Sequence, residues 1–400
     1  MHLDVDRVRS MFPALERGTA FFDGPGGSQT PRQVAEAIAA TLSAGLSNRG
    51  TVTAAERCAD DIVVGARAAV ADLVGADPGG VVFGRSMTQL TFDLARSLAR
   101  QWRPGDEVVV TRLDHDADIR PWVSAAETVG ATTRWVDFDR DTAELTFDPA
   151  VLSERTRLVA VTGASNLLGT RPDVAAVAAA AHQVGALVFV DGVHLTPHAP
   201  VDVAELGADF FVCSPYKFFG PHLGALAAAP GLLETIHPDK LLPATDQVPE
   251  RFELGTLPYE MLAGVTAAVD FIAALVTGEG PRRDRVQASM RAVEAAEDVL
   301  FERLLSGLQE TPGVHRYGAP ARRTPTALFG VEGVAPQTVY EQLATRGVNA
   351  PASSFYALEA SRWLGLGDHG AVRAGLAPYT SADDVDRLLA GVREIAQTCR

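Results

Sequence analysis

The chain has 400 residues, 47% hydrophobic and 21% charged, a size and balance that suit two globular domains with a large core. Its formal net charge of -15 argues against nucleic acid or an anionic membrane as partner, because both attract basic surfaces. Three scattered cysteines form neither a disulfide framework nor a zinc site, and no segment has the apolar length of a membrane span or signal peptide, so a cytoplasmic location is expected.

From residue 81 onward, short apolar runs alternate with segments of helical length. Runs at 81–83, 107–111, 132–136, 158–162, 186–190 and 210–213 read as strands buried on both faces. Helices are expected at 87–100, 121–129 and 172–184, the last with Pro172 near its start and Gly185 just past its end. Strands alternating with helices predict an α/β fold with a mostly parallel sheet. An apolar helix over 262–276 precedes a charged, Gly- and Pro-containing boundary over 277–285. Beyond it come a helix at 286–308, strands at 326–331 and 372–376, and helices at 335–345 and 382–397. The expected division is a large domain over 21–260, a linker helix and boundary over 261–285, and a small α/β domain over 286–400. Residues 1–20 are expected to pack with the small domain.

In parallel sheets ligands bind beyond the carboxyl ends of the strands, so those residues carry the functional information. One strand delivers Asp191-Gly192-Val193-His194, and the next delivers Ser214-Pro215-Tyr216-Lys217-Phe218-Phe219. The chain holds only two lysines, Lys217 and Lys240, and arginine cannot serve as a deprotonatable amine. A lysine and an acid on neighbouring strand ends are what pyridoxal phosphate needs: an amine for its aldehyde and a carboxylate for its ring nitrogen. Tyr216, Phe218 and Phe219 are expected to desolvate the lysine. Ser86, Met87 and Thr88, between a strand and a helix, suit a phosphate, and Ser214 and Tyr216 are further candidates. His115 could stack on the cofactor ring, and Arg373 could hold a substrate carboxylate by two parallel hydrogen bonds. The competing chemistry is a metal-dependent hydrolase built on His115, Asp116, His194 and His198, although Pro197 breaks the helix that such a histidine pair needs.

These residues together resemble the class V aminotransferases of pyridoxal-phosphate fold type I, in particular the cysteine desulfurase branch. The resemblance spans about residues 21–389. It rests on Phe22-Asp-Gly-Pro-Gly-Gly, Asp114-His-Asp-Ala-Asp-Ile-Arg-Pro-Trp, Ala164-Ser-Asn-Leu-Leu-Gly-Thr, Asp191-Gly-Val-His, Ser214-Pro-Tyr-Lys-Phe-Phe-Gly-Pro-His and Phe252-Glu-Leu-Gly-Thr. It implies a seven-stranded-type sheet, Lys217 as the Schiff-base lysine and Asp191 as partner of the pyridine nitrogen. It also implies His115 on the ring, His194 at the phenolic oxygen, and Thr88 and Ser214 at the phosphate. Asn166 and Arg373 would hold the substrate carboxylate. Thr256 would reach the phosphate of a neighbouring subunit, which implies a homodimer with shared sites.

Two positions depart from the pattern. The loop cysteine of persulfide-forming relatives falls on Tyr356, within Ala352-Ser-Ser-Phe-Tyr-Ala, which makes Tyr356 a substrate-side candidate instead. None of Cys58, Cys213 or Cys399 is placed to replace it. Tyr216 stands where many relatives have histidine. The expected activity is removal of the α-proton of an amino acid, followed by β-elimination from a cysteine-derived or other β-substituted substrate. Transamination, epimerisation and a cofactor-binding regulator without catalysis are the alternatives.

Overall fold

The structure is a computed structural model and describes residues 3–398; Cys399 lies outside the described residues. A two-residue strand β1 (Ala20–Phe21) is followed by β2 (Val81–Gly84), β3 (Glu107–Thr111), β4 (Thr132–Val136), β5 (Thr156–Thr162), β6 (Leu187–Asp191), β7 (Phe210–Cys213) and β8 (Gly224–Ala228). Strands β2 to β8 form one sheet in the order β2-β8-β7-β6-β5-β3-β4. Neighbours are parallel except where β8 pairs with β2 and β7. All six strands expected from apolar runs are present. The seventh, β8, has the sequence Gly-Ala-Leu-Ala-Ala, whose small residues carry none of the β-branched signal that marks its neighbours.

Helices cover both faces, which is why the strands read as continuous apolar runs. Val109, Val161, Val188 and Phe211 face one core, with the helices Ala54–Val74, Val174–Gln183 and Tyr259–Ala273. Val108, Val110, Leu158, Phe189 and Phe210 face the other, with Met87–Ala99 and Arg120–Val129. Each phenylalanine buried this way contributes about 1.5–3 kcal/mol relative to exposure.

The 28-residue helix Arg282–Gln309 leads to a second, antiparallel sheet. Its strands are β9 (Val314–Tyr317), β10 (Thr326–Val331), β12 (Ala352–Ser353) and β13 (Ala371–Gly375), in the order β12-β13-β10-β9. Strand β11 (Val348–Asn349) pairs in parallel with β1, so the N-terminal segment is tied to the C-terminal part of the chain. Arg9 adds an ion pair to Asp384 at 2.6 Å. No helix among the described residues is long and apolar enough to cross a membrane.

The register of the large sheet positions the site. Thr162 on β5 lies opposite Asp191 on β6, and Asp191 lies opposite Val212 on β7. The carboxyl ends of three adjacent strands are therefore level, and the loops leaving them border the same space.

Candidate active site

Lys217 ends a tight turn, Pro215–Lys217, that begins one residue after β7. Its side chain is buried, and Nζ donates to the carbonyl of Pro25 in the Gly-Pro-Gly-Gly loop. Burial, reinforced by the Arg373 charge, pushes the amine down to about 8, while Asp191 and Asp23 pull the other way. Asp191 is also buried and accepts from the Val193 N–H at 2.9 Å. No cation lies within 4 Å of its carboxylate among the described residues, and burial pushes its pKa upward. Of the flanking aromatics, only Tyr216 faces the cleft, with Nζ 5.6 Å from its ring centre. Phe218 and Phe219 turn into the core instead, where Phe219 packs edge-on against Phe12 and Phe271.

His115 caps the short turn Asp116–Asp118. Its Nδ1 accepts from the Ala117 N–H at 3.0 Å, which leaves the proton on Nε2. Burial, with Lys217 and Arg373 nearby, drops its pKa to about 3, so the ring is neutral. Beside it, Asp114 and Asp118 are both fully buried. Asp114 accepts from the Thr111 hydroxyl, and Asp118 accepts from Trp122 Nε1 at 3.0 Å. Burial raises both carboxyls, Asp114 to about 8, and the nearby Asp114 charge adds to the rise at Asp118.

The phosphate candidates behave differently from one another. The Ser86 hydroxyl accepts from the Gln89 N–H at 3.1 Å, so it is spent as the cap of the helix Met87–Ala99. Thr88 is exposed and lines the cleft, as do Met87 and Ser214. Ser214 is buried, and its hydroxyl caps no backbone group. Thr256 lies in a separate cleft with Arg85, Gln89 and Leu254, away from Lys217.

At the opposite end, Asn166 donates from Nδ2 to the carbonyl of Phe355 at 2.9 Å, and its Oδ1 is buried without a partner. Arg373 is 1% exposed; it donates to the Asn166 carbonyl at 3.0 Å and to Asp23 at 2.7 Å. The Phe355 ring covers it, 3.7 Å from the guanidinium carbon. Phe355 and Tyr356 both have positive φ, 52° and 57°, an unfavourable backbone for consecutive bulky residues. The strap is held there by the Phe355–Asn166 bond and by the Asp116 N–H donating to the Tyr356 carbonyl at 2.7 Å. Tyr356 is 76% exposed and its ring lies 5.7 Å from that of His115.

His194 lines the cleft, with Nε2 3.0 Å from the hydroxyls of both Thr324 and Thr326 and Nδ1 buried without a partner. Burial and the nearby His198, Lys217 and Arg373 keep it neutral. His198 bonds Glu297 at 2.9 Å. Asp116 pairs with Arg120 at 2.8 Å. The four residues of the metal reading are thus committed to separate partners. Among the described residues, no group of three or more His, Cys, Asp or Glu side chains is disposed to hold a metal ion.

The structure brings Met87, Thr88, His115, Asn166, Asp191, His194, Ser214, Tyr216 and Lys217 onto the wall of one cleft of about 400 Å³. Ser86, Thr256, Tyr356 and Arg373 are not part of that wall. Thr162, Ala164 and the Pro25 carbonyl join the site without having been expected there. Pro25 and Ala164 belong to the Gly-Pro-Gly-Gly and Ala164-Ser-Asn motifs, and Thr162 is the last residue of a strand. A buried uncompensated carboxylate, a buried amine of lowered pKa and hydroxyls at a helix start fit a flat phosphorylated aldehyde with a basic ring nitrogen. Cys213 is buried within β7, its thiol pushed up to about 12, and Cys58 is on the helix Ala54–Val74, so neither is on the 354–356 strap.

A family model described as aminotransferase class-V matches residues 20–388. The chain is 36% identical over 395 residues to an uncharacterised protein of Mycobacterium tuberculosis, covering 97% of this chain and 98% of that one. It is 33% identical over 419 residues to an aminotransferase-like protein of Gibberella zeae, covering 98% of each. A solved cysteine desulfurase of Thermococcus onnurineus superposes with a TM-score of 0.89 at 26% identity, covering 100% of this chain and 99% of that one.

Proposed function

The chain belongs to the class-V aminotransferase family, whose members depend on pyridoxal phosphate, and from that premise we propose that it is a lyase acting on a β-substituted amino acid, most simply a cysteine derivative. The observation that carries the reading is Lys217, a buried amine near pKa 8 that shares a cleft with Asp191.

When bound, pyridoxal phosphate would supply an electron-accepting ring conjugated with the substrate's α-carbon through its amino nitrogen. Lys217 is the residue to hold its aldehyde. Once the amine of the substrate has displaced it from the aldehyde, Nζ, with a pKa near 8, would have a neutral fraction at physiological pH and could take the α-proton as general base. Asp191 would keep the ring nitrogen protonated, since that positive charge would meet a buried carboxylate that makes no ion pair within 4 Å among the described residues. His115, neutral, would pack on the ring. His194, also neutral, would serve its phenolic oxygen. Met87, Thr88, Ser214 and Tyr216 hold the phosphate, with Ser86 acting through the helix cap. Asn166 and Arg373 orient the substrate carboxylate, and Tyr356 stands where its side chain enters. In β-elimination the C–S bond breaks, the thiol leaves, and water converts the remainder to pyruvate and ammonia. The strap that bears Tyr356 has no thiol to accept sulfur, which favours release over a persulfide.

The reading includes a homodimer with shared sites. Thr256 lies away from the phosphate end of its own cleft, beside Leu254, which is 54% exposed. A second copy would bring its threonine to the phosphate.

Pyruvate release from S-substituted cysteines, followed with wild type and Lys217→Ala, tests the reading. Release by wild type alone is expected. Keto acids that retain the whole substrate skeleton would point to transamination, the reading favoured by the aminotransferase-like relative. A cofactor-loaded protein inert towards every amino acid would point to a regulator.

A further inference from the structure

A dianionic phosphate buried at a helix start is held best by a basic side chain in addition to hydroxyls and N–H groups. Candidates for that charge are few around this cleft. Lys217 is taken by the aldehyde, His115 and His194 are neutral, and Arg373 is at the carboxylate end, paired with Asp23. Arg85 is exposed and lines the neighbouring cleft with Thr256.

His222 is placed differently. Its ring lies flat on that of Tyr216, with centres 4.7 Å apart and planes 8° from parallel. Tyr216 lines the cleft together with Thr88 and Ser214, and a Cβ on Gly27 would touch its ring at 3.4 Å. The tyrosine is therefore held between the Gly-Pro-Gly-Gly loop and His222. Two residues on, a Cβ at Gly224 would collide with the backbone of Ser86 and Met87. Glycine there lets the segment carrying His222 press against the first turn of the helix Met87–Ala99. His222 itself is exposed, stacked on a tyrosine that lines the cleft.

We infer that His222, stacked on Tyr216, is a phosphate-binding residue of this site. The inference rests on the pyridoxal-phosphate reading and adds to it a residue outside the strand-end motifs. An imidazole donates one hydrogen bond when neutral, and when protonated it adds charge and a second donor.

The test compares the affinity of the cofactor-free protein for pyridoxal phosphate and for pyridoxal, which lacks the phosphate, by absorbance titration. His222→Gln should weaken pyridoxal phosphate about tenfold and leave pyridoxal unchanged, the second ligand also reporting that the fold is intact. No change with either ligand, or an equal loss with both, would overturn the inference. A phosphate-selective loss in Arg85→Gln but not in His222→Gln would overturn it in favour of Arg85. A wild-type protein that binds neither ligand would instead overturn the cofactor reading, and this inference with it.

Discussion

The ring of Phe355 lies 3.7 Å over the guanidinium carbon of Arg373 and closes the arginine expected to hold the substrate carboxylate. A substrate that uses Arg373 must displace that ring, which is carried on two consecutive residues of positive φ. Phe355→Ala should therefore speed the spectral response to added amino acid, while costing about 0.5–2 kcal/mol of stability through the lost cation–π contact. Stopped-flow absorbance would show it. An unchanged association rate would mean that the ring does not gate the arginine.

Arg373→Lys keeps the charge and loses the paired N–H geometry. The KM for amino acid should rise about tenfold or more, by the loss of a charged hydrogen bond of about 1.5–3 kcal/mol. Steady-state kinetics at saturating cofactor would check this, with kcat less affected than KM.

Lys217 must be neutral to attack an aldehyde, and burial lowers its pKa to about 8. Cofactor uptake should accelerate about tenfold per pH unit below that value and level off above it. Rates measured between about pH 6 and 10 would locate the midpoint. A midpoint near the ordinary lysine value of about 10.4 would contradict the burial argument.

Asp114 and Asp118 have folded-state pKa values above the ordinary carboxylate range, Asp114 near 8. Their stability contribution is complete at low pH and is lost as pH rises above about 4, for Asp114 through about 8. Asp118→Asn keeps the acceptor for Trp122 and removes one charge. The cofactor-free variant should match wild type near pH 4 and exceed it by about 1–2 kcal/mol at pH 8 in urea unfolding. A gap independent of pH would contradict the raised carboxyls.

Much of the site was legible because strand ends in a parallel sheet converge and because lysine is so rare in this chain. Asp191 and Lys217 stand out on those two grounds alone. The strap contact between Phe355 and Arg373, the bond from His198 to Glu297 across 99 residues, and the Pro25 carbonyl were not legible. Each joins segments whose spacing says nothing about their meeting. Strand β8 was missed because Gly and Ala leave no β-strand pattern. Helix Ala54–Val74 went unread for a related reason: its many alanines blur the apolar stripe, although Thr53 and Glu56 form its capping box. The acidic run around His115 left a competing metal reading open because sequence cannot show that two of those acids are buried together.

The central claim, that Lys217 carries pyridoxal phosphate, is tested most directly by the absorbance spectrum of purified wild type and Lys217→Ala, before and after borohydride. The expected result is a yellow wild-type protein whose cofactor is fixed by reduction to the peptide containing Lys217, and a variant with no such adduct. A wild-type protein that is colourless and takes up no added pyridoxal phosphate, or an adduct on Lys240, would contradict it.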